Sequence, residues 1–196
     1  MTEIRTILLA LAALATLLAA SAARASPDAA WAALADGSGI ALVRHATAPG
    51  AGDPPGFRLD DCTTQRNLSD AGRAEARRLG AAFRQRGIAV GRVLSSRWCR
   101  SLETARLAFG DAVAPEPALD SFFADRSAGD ARTAAARRLI AGRSPGRPLV
   151  MVTHHVNIIA LAGIAPQSGE MIVVRPDGDR LAVVGRVPPA ALDGAS

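Results

Sequence analysis

The sequence contains no lysine and no tyrosine, and only 4% of its residues are aromatic. All 23 basic residues are therefore arginines, which accounts for an isoelectric point of about 11.0. The arginines are dispersed along the chain, and there are few aromatic rings to stack on bases, so we expect no nucleic-acid partner. The formal net charge of +5 fits an anionic partner only loosely.

Cysteine is nearly absent, with Cys62 and Cys99 as the two examples. In an oxidising compartment an even number of cysteines is typical of a disulfide. Two buried thiols that pack as small hydrophobic groups are the alternative, and the sequence leaves both open. A metal site is not expected either. The adjacent His154 and His155 point apart on one element, and no third ligand is suitably spaced, so we expect neither metal nor cofactor.

One long apolar run, residues 7–20, follows Arg5 near the start of the chain. Ala23-Arg24-Ala25 then matches an A-x-A cleavage site, so residues 1–25 are predicted to be a signal peptide. A membrane anchor is disfavoured because the run is shorter than the roughly 20 residues that span a bilayer. We expect a periplasmic or secreted protein with no stable membrane anchor after cleavage. Residues 26–196 have the length of one domain.

Five short apolar runs predict strands, and segments with helical patterning alternate with the first three. Alternation of this kind is typical of a parallel sheet covered by helices on both faces. We therefore expect an α/β protein, a single three-layer α/β/α domain with a mostly parallel central sheet. The predicted strands are Ile40–Val43, Val93–Ser95, Leu149–Thr153, Met171–Val174 and Leu181–Val184. The predicted helices are Asp70–Arg86, Trp98–Phe109, Asp130–Ala141 and a segment that begins at His154.

Polar side chains follow three of these strands directly. Arg44-His45 follows the first strand and His154 follows the third. The second strand ends at Ser95-Ser96, with Arg100 in the first turns of the next helix. Because ligands of open α/β sheets bind outside the carboxyl ends of the strands, we expect two histidines and two arginines in one crevice.

Phosphate chemistry suits such a set of side chains. Arginine binds phosphate oxygens with two parallel hydrogen bonds and stays charged at any working pH. A neutral imidazole is a good nucleophile toward phosphorus, and a second histidine can donate to the oxygens that carry developing charge. Each charge-assisted hydrogen bond contributes roughly 1.5–3 kcal/mol, so four such groups supply a large share of transition-state binding.

Four segments, in order, resemble motifs of the histidine phosphatase superfamily, the group that includes cofactor-dependent phosphoglycerate mutase and the acid phosphatases. They are LVRHA at 42–46, RNLSDAGRAEA at 66–76, SSRWCRSLETA at 95–105 and VTHHVNI at 152–158. The resemblance implies a phosphoglycerate mutase-like fold. It also implies a phosphorylated nucleophile at His45, phosphate ligands at Arg44 and Arg100, and a second pocket histidine at His154. Ala46 and Thr47 depart from the glycine and glutamate that usually follow the nucleophile.

Two assignments within the matched segments stay open at this point. His155 is the alternative to His154, which we prefer because it directly follows the apolar run. Arg66 and Asn67 lie either at the pocket rim or in a capping role before the helix.

The resemblance places the general acid on the loop that follows the segment SSRWCRSLETA at 95–105. There Asp120 is the candidate, because the neighbouring apolar side chains suit a raised pKa. Asp125 and Glu170 are the alternatives, and a solvated loop aspartate is the other interpretation of Asp120.

The resulting hypothesis is an exported phosphatase that hydrolyses a phosphate monoester through a phosphohistidine intermediate. The alternative is a non-catalytic module on the same fold that binds phosphate or a phosphoglycan. A mutase is disfavoured because export removes the chain from glycolytic intermediates. The expected substrate is a small or envelope phosphoester, including a lipopolysaccharide core phosphate, and the sequence indicates neither the substrate nor the oligomeric state.

Overall fold

A computed structural model describes residues 26–192. The predicted signal peptide, residues 1–25, and the last four residues of the predicted domain lie outside the described residues. None of the helices in the described part has the length and apolar character needed to cross a bilayer.

Five helices and six strands make up the described chain. The helices are α1 (Pro27–Ala35), α2 (Asp70–Gln85), α3 (Cys99–Phe109), α4 (Gly129–Ala141) and α5 (His155–Ala162). The strands are β1 (Ile40–Arg44), β2 (Arg92–Ser95), β3 (Val113–Pro115), β4 (Leu149–Thr153), β5 (Met171–Asp177) and β6 (Arg180–Val187). Short 3₁₀ turns cover Cys62–Thr64, Pro117–Leu119, Arg126–Ala128 and Pro189–Ala191.

The strands form one sheet in the order β3-β2-β4-β1-β5-β6. The first four of these run parallel, and β5 and β6 are antiparallel additions at one side. The α/β class and the mostly parallel central sheet are therefore confirmed. The register pairs Arg44 with Thr153 and Ser95 with Val152, so β1, β2 and β4 end at the same edge.

Strand β1 is buried on both faces because helices cover both sides of the sheet. Ala41 and Val43 pack into a core formed with α1, α2 and α3. Ile40 and Leu42 pack into a second core formed with α4 and α5. The unbroken apolar run of β1 is the sequence signature of this two-sided burial. The run ends at Arg44, which is only half-buried.

Two elements were not predicted from the sequence. Strand β3 is only three residues long and ends in a proline, and its pairing with β2 defines it. Helix α1 begins with a Ser26 N-cap and a proline in its first turn. It buries Trp31 and Leu34, yet its alanine-rich sequence shows no distinct apolar stripe.

Glycines allow α2 to approach its neighbours closely. A Cβ at Gly80 would lie 2.0 Å from the carbonyl oxygen of Ala108, and one at Gly72 would lie 2.1 Å from that of Thr47. Ser69 caps the same helix and also donates its backbone N–H to Thr47. Helix α2 therefore fixes the backbone just beyond the end of β1.

Candidate active site

A pocket of about 270 Å³ opens at the shared edge where the parallel strands end. The backbone there continues the sheet by one residue, since His45 donates its N–H to Thr153 and Ser96 donates to Val152. Arg44, His45, Arg66, Arg100 and His154 all line this pocket. The structure thus brings together the two histidines and two arginines that the sequence placed near three strand ends, and it adds Arg66, a rim candidate.

His45 is almost completely buried, with 2% of its surface exposed. Its Nδ1 lies 2.8 Å from the carbonyl oxygen of Ala46, which requires a proton on Nδ1. Nε2 accepts a 3.3 Å hydrogen bond from Nε of Arg100 and therefore carries a lone pair. Burial first, and the Arg100 charge second, lower the pKa of His45 to about 3. The imidazole is neutral at ordinary pH, with Nε2 as its basic nitrogen.

His154 is buried beside His45, with ring centroids 5.4 Å apart. Its Nε2 lies 2.8 Å from Oγ of Ser96. Burial, followed by the nearby His45 and Arg100, lowers the pKa of His154 well below its usual value. The pocket therefore holds two neutral imidazoles that can exchange hydrogen bonds with a bound anion.

His155 also lines the pocket, where it is half-buried. Its Nδ1 lies 3.4 Å from Nη1 of Arg44 and 3.2 Å from the carbonyl oxygen of Pro166. The two adjacent histidines therefore differ in their surroundings. His154 contacts the nucleophile candidate, whereas His155 contacts an arginine at the rim.

Three guanidinium groups surround the imidazoles. Arg44 donates through Nη1 to the carbonyl oxygen of Pro166, and its buried Nε has no hydrogen-bond partner within residues 26–192. Arg66 donates to the carbonyl oxygens of Gly52 and Ala48. Burial, and then the charge of Arg100, lower the pKa values of both Arg44 and Arg66. Such mutual repulsion indicates a site built for an anion.

Asp53 is the only carboxylate among the described residues that line the pocket. Three arginines against one carboxylate leave two positive charges unmatched, which complements a phosphate monoester dianion. Asp53 lies in the Pro/Gly-rich loop after β1, and sequence reasoning missed it because that loop has no periodicity. The one sequence feature that could have indicated Asp53 is that it is the single acidic residue between Ala48 and Phe57.

The structure places Asp120, the candidate general acid, outside the pocket wall. This carboxylate is fully buried, but it lies behind Ser96 rather than on the pocket wall. Arg97 donates to it from its backbone N–H at 2.9 Å and from Nε and Nη2 at 2.8 and 2.6 Å. A buried carboxylate needs such compensation, and Arg97 supplies it. Within the described residues, Asp120 is therefore enclosed by its partners and does not line the pocket.

The two alternatives to Asp120 do not line the pocket either. Asp125 caps the 3₁₀ turn Arg126–Ala128 at an exposed position. Glu170 is buried in an ion pair with Arg186, with oxygen–nitrogen distances of 2.8 and 3.0 Å. Both carboxylates have local partners outside the pocket wall.

Of the two rim candidates, only Arg66 faces the pocket. The Asn67 amide turns away and donates to the carbonyl oxygens of Cys62 and Gln65, at 2.6 and 3.1 Å. Its role is to hold the loop before α2. Of the two open alternatives for Asn67, the geometry favours the capping role, because the backbone carbonyls of its own loop accept its hydrogen bonds.

Cys62 and Cys99 form a disulfide in the structure. The bond joins the loop after β1 to the first residue of α3, next to Arg100. Gln65 strengthens the same junction, because its Oε1 accepts from the backbone N–H of Cys99 at 3.0 Å. The loop that carries Asp53 and the helix that carries Arg100 are thus tied together. Within residues 26–192, no group of three or more potential ligands is arranged to hold a metal.

Solved structures of similar fold cover most of this chain, whereas no family model and no curated protein matches its sequence. A protein from Agrobacterium tumefaciens proposed to be the phosphohistidine phosphatase SixA is 22% identical, with a TM-score of 0.55 over 78% of this chain and 99% of its own. The protein histidine phosphatase SixA in complex with tungstate is 16% identical, with a TM-score of 0.55 over 79% and 99%.

A mycobacterial glucosyl-3-phosphoglycerate phosphatase is 17% identical, with a TM-score of 0.54 over 74% of this chain and 96% of its own. Identities this low establish the fold alone. The fold implied by the sequence motifs is therefore confirmed: this chain has a phosphoglycerate mutase-like fold.

Proposed function

We propose that the protein is a phosphomonoesterase that transfers the phosphoryl group to Nε2 of His45. The observation that carries the proposal is the state of this imidazole. It is buried and neutral, its Nδ1 is anchored on a carbonyl oxygen, and its Nε2 faces Arg100. A protein that only bound phosphate would need the arginines, but not an anchored imidazole between them with a lone pair on Nε2.

The first half of the reaction follows from this geometry. Nε2 of His45 attacks phosphorus in line while the alcohol oxygen leaves on the opposite side. Arg44 and Arg100 bind the equatorial oxygens, and His154 contributes a hydrogen bond as their charge develops. Water then attacks the phosphohistidine, releasing inorganic phosphate and restoring the neutral imidazole.

The structural neighbours support a phosphatase rather than a particular substrate. SixA acts on a protein phosphohistidine, and the mycobacterial neighbour acts on glucosyl-3-phosphoglycerate. For this chain we propose a small or envelope phosphoester as substrate and an oxidising compartment, periplasmic or external, as its location. The Cys62–Cys99 bond supports that location, because disulfides persist in oxidising environments.

The test is to trap the intermediate. The purified protein is mixed with a radiolabelled phosphomonoester, quenched, and examined for a protein adduct that acid releases and base does not. We expect the adduct in the wild type and its loss in His45→Asn, with kcat falling at least about 10³-fold. Circular dichroism checks that the variant is folded.

Parallel variants at the neighbouring histidines separate their roles. His154→Asn is expected to slow adduct formation strongly, whereas His155→Asn is expected to form the adduct with a modest loss of rate. Turnover that survives in His45→Asn would refute the proposal. A wild-type protein that binds phosphate but turns over no member of a broad phosphoester panel would instead be a binding module.

A further inference from the structure

Asp53 is held in the pocket by four hydrogen bonds. Nη1 of Arg100 lies 2.6 Å from Oδ1, and Nη2 lies 3.0 Å from Oδ2. The indole N–H of Trp98 donates to Oδ2 at 2.9 Å, and the backbone N–H of Arg66 donates to Oδ1 at 3.2 Å. The side chain is 8% exposed. The loop after β1 thus brings a carboxylate to the guanidinium that faces the nucleophile.

Asp53 pairs with Arg100 through two parallel hydrogen bonds, as an oxyanion can. Arg100 directs Nε toward His45 and both terminal nitrogens toward Asp53. A carboxylate and a phosphate present the same pair of oxygens to a guanidinium fork. A phosphate bound at Nε2 of His45 therefore competes with Asp53 for the same donors.

We propose that Asp53 is the proton donor to the leaving oxygen, and that the substrate phosphate activates it as a donor by displacing it from Arg100. This proposal rests on the proposed function, since it assigns a further group to that same reaction. Among the described residues no other carboxylate lines the pocket, and Asp120 and Glu170 lie outside its wall in ion pairs with Arg97 and Arg186.

The charges around Asp53 explain how displacement changes its protonation. Burial raises the pKa of Asp53, but the hydrogen bonds and charge of Arg100 and the Trp98 donor outweigh it, so the net shift is downward. When phosphate replaces Asp53 on the two terminal nitrogens of Arg100, the Asp53 carboxyl stays buried. The phosphate dianion then replaces the Arg100 cation as its nearest charge. Both effects favour the protonated carboxyl. The remaining cations facing this space are Arg44 and Arg66, and both imidazoles are neutral.

The reaction balances with this one carboxyl. In the first step the bond between phosphorus and the leaving oxygen breaks, a bond forms from phosphorus to Nε2 of His45, and the Asp53 proton moves to the leaving oxygen. In the second step a water oxygen bonds to phosphorus, its proton passes to Asp53, and the bond from phosphorus to Nε2 breaks. The displaced Asp53 takes up one proton from solvent before the first step and returns it to solvent when inorganic phosphate leaves, so each cycle restores the starting protonation of both His45 and Asp53.

The experiment compares substrates with good and poor leaving groups. In Asp53→Asn, kcat/KM for an alkyl phosphate such as glycerol 2-phosphate is expected to fall about 10²–10⁴-fold, the usual contribution of general acid catalysis. For p-nitrophenyl phosphate, whose leaving group needs no proton, the expected loss is less than about tenfold. The alkaline limb of kcat for the alkyl substrate should also disappear. The inhibition constant for inorganic phosphate should decrease several-fold, because the competing carboxylate is gone.

Two further variants complete the test. Asp53→Glu keeps a carboxyl and should recover part of the alkyl phosphatase activity, which a purely structural role does not predict. Asp60→Asn, an exposed position on the same loop outside the pocket wall, should match the wild type on both substrates.

Equal losses on the two substrates in Asp53→Asn would overturn the proposal, as would tighter phosphate binding with no dependence on the leaving group. In either case an adduct on His45 would leave the proposed function intact. Absence of that adduct in the wild type would remove the proposed function itself.

Discussion

The buried, neutral His45 predicts a specific dependence of stability on pH. Its pKa in the folded protein is about 3, whereas the ordinary value for histidine is 6.5. Below pH 6.5 the unfolded chain therefore binds a proton at this site that the folded chain does not bind. Acid consequently lowers the free energy of unfolding through the window from pH 6.5 down to about 3. Replacing His45 by asparagine, whose amide can still donate to Ala46, removes this contribution.

The magnitude follows from linkage. With an unfolded-state pKa of 6.5, protonation of this one site stabilises the unfolded chain by about 0.2 kcal/mol at pH 7 and by about 2 kcal/mol at pH 5. The difference requires only that the folded-state pKa lies well below 5. We therefore expect the wild type to lose about 2 kcal/mol more than His45→Asn between these pH values.

Urea unfolding at several pH values between 5 and 7, with the disulfide intact, measures this difference. Carboxylates and His154 titrate in both proteins, so their contributions largely cancel. His154→Asn should show a similar effect, because the pKa of His154 is also well below its usual value. Phe123→Leu, at a pocket position 54% exposed and without a titratable group, should parallel the wild type. Parallel curves for wild type and His45→Asn would refute the assignment of a buried, neutral imidazole.

Three further predictions concern separate parts of the fold. Reduction of Cys62–Cys99, or its replacement by two serines, should lower the free energy of unfolding by about 4 kcal/mol in a urea titration, because the bond closes a loop with a sequence separation of 37. Gly80→Ala should destabilise by at least about 2 kcal/mol in thermal unfolding, since the new Cβ would lie 2.0 Å from the Ala108 carbonyl oxygen; a gain in stability would show that the helices can separate. Arg100→Lys should weaken inhibition by inorganic phosphate about tenfold or more, since an ammonium cannot make the paired contact, and unchanged inhibition would place the anion elsewhere.

The strands that position the site could be predicted closely from the sequence. Strand β4 has the predicted bounds, Leu149–Thr153, and β1 and β2 differ from prediction by one residue each. A strand buried on both faces must be an apolar run, and this requirement is visible locally. The short edge strand β3 could not be predicted in this way, because only its pairing with β2 identifies it as a strand.

The carboxylates show where sequence reasoning stopped. Asp120 follows an apolar stretch and is buried, as the sequence suggested, yet Arg97 donates hydrogen bonds to its carboxylate. Asp53 lies in a loop with no pattern, yet that loop folds over the pocket and contacts Arg100. The choice between these two residues depends on which cation reaches each one in space.

The sequence by itself determined which side chains leave the core at the strand ends, and therefore that Arg44, His45 and His154 meet at one edge. Parallel strands of similar length place their ends together whatever the loops do. Only the tertiary structure decided which acid faces these groups, that the two cysteines are joined, and that Asn67 turns away from the pocket. Those outcomes depend on competition between partners far apart in the chain, which local patterning does not encode.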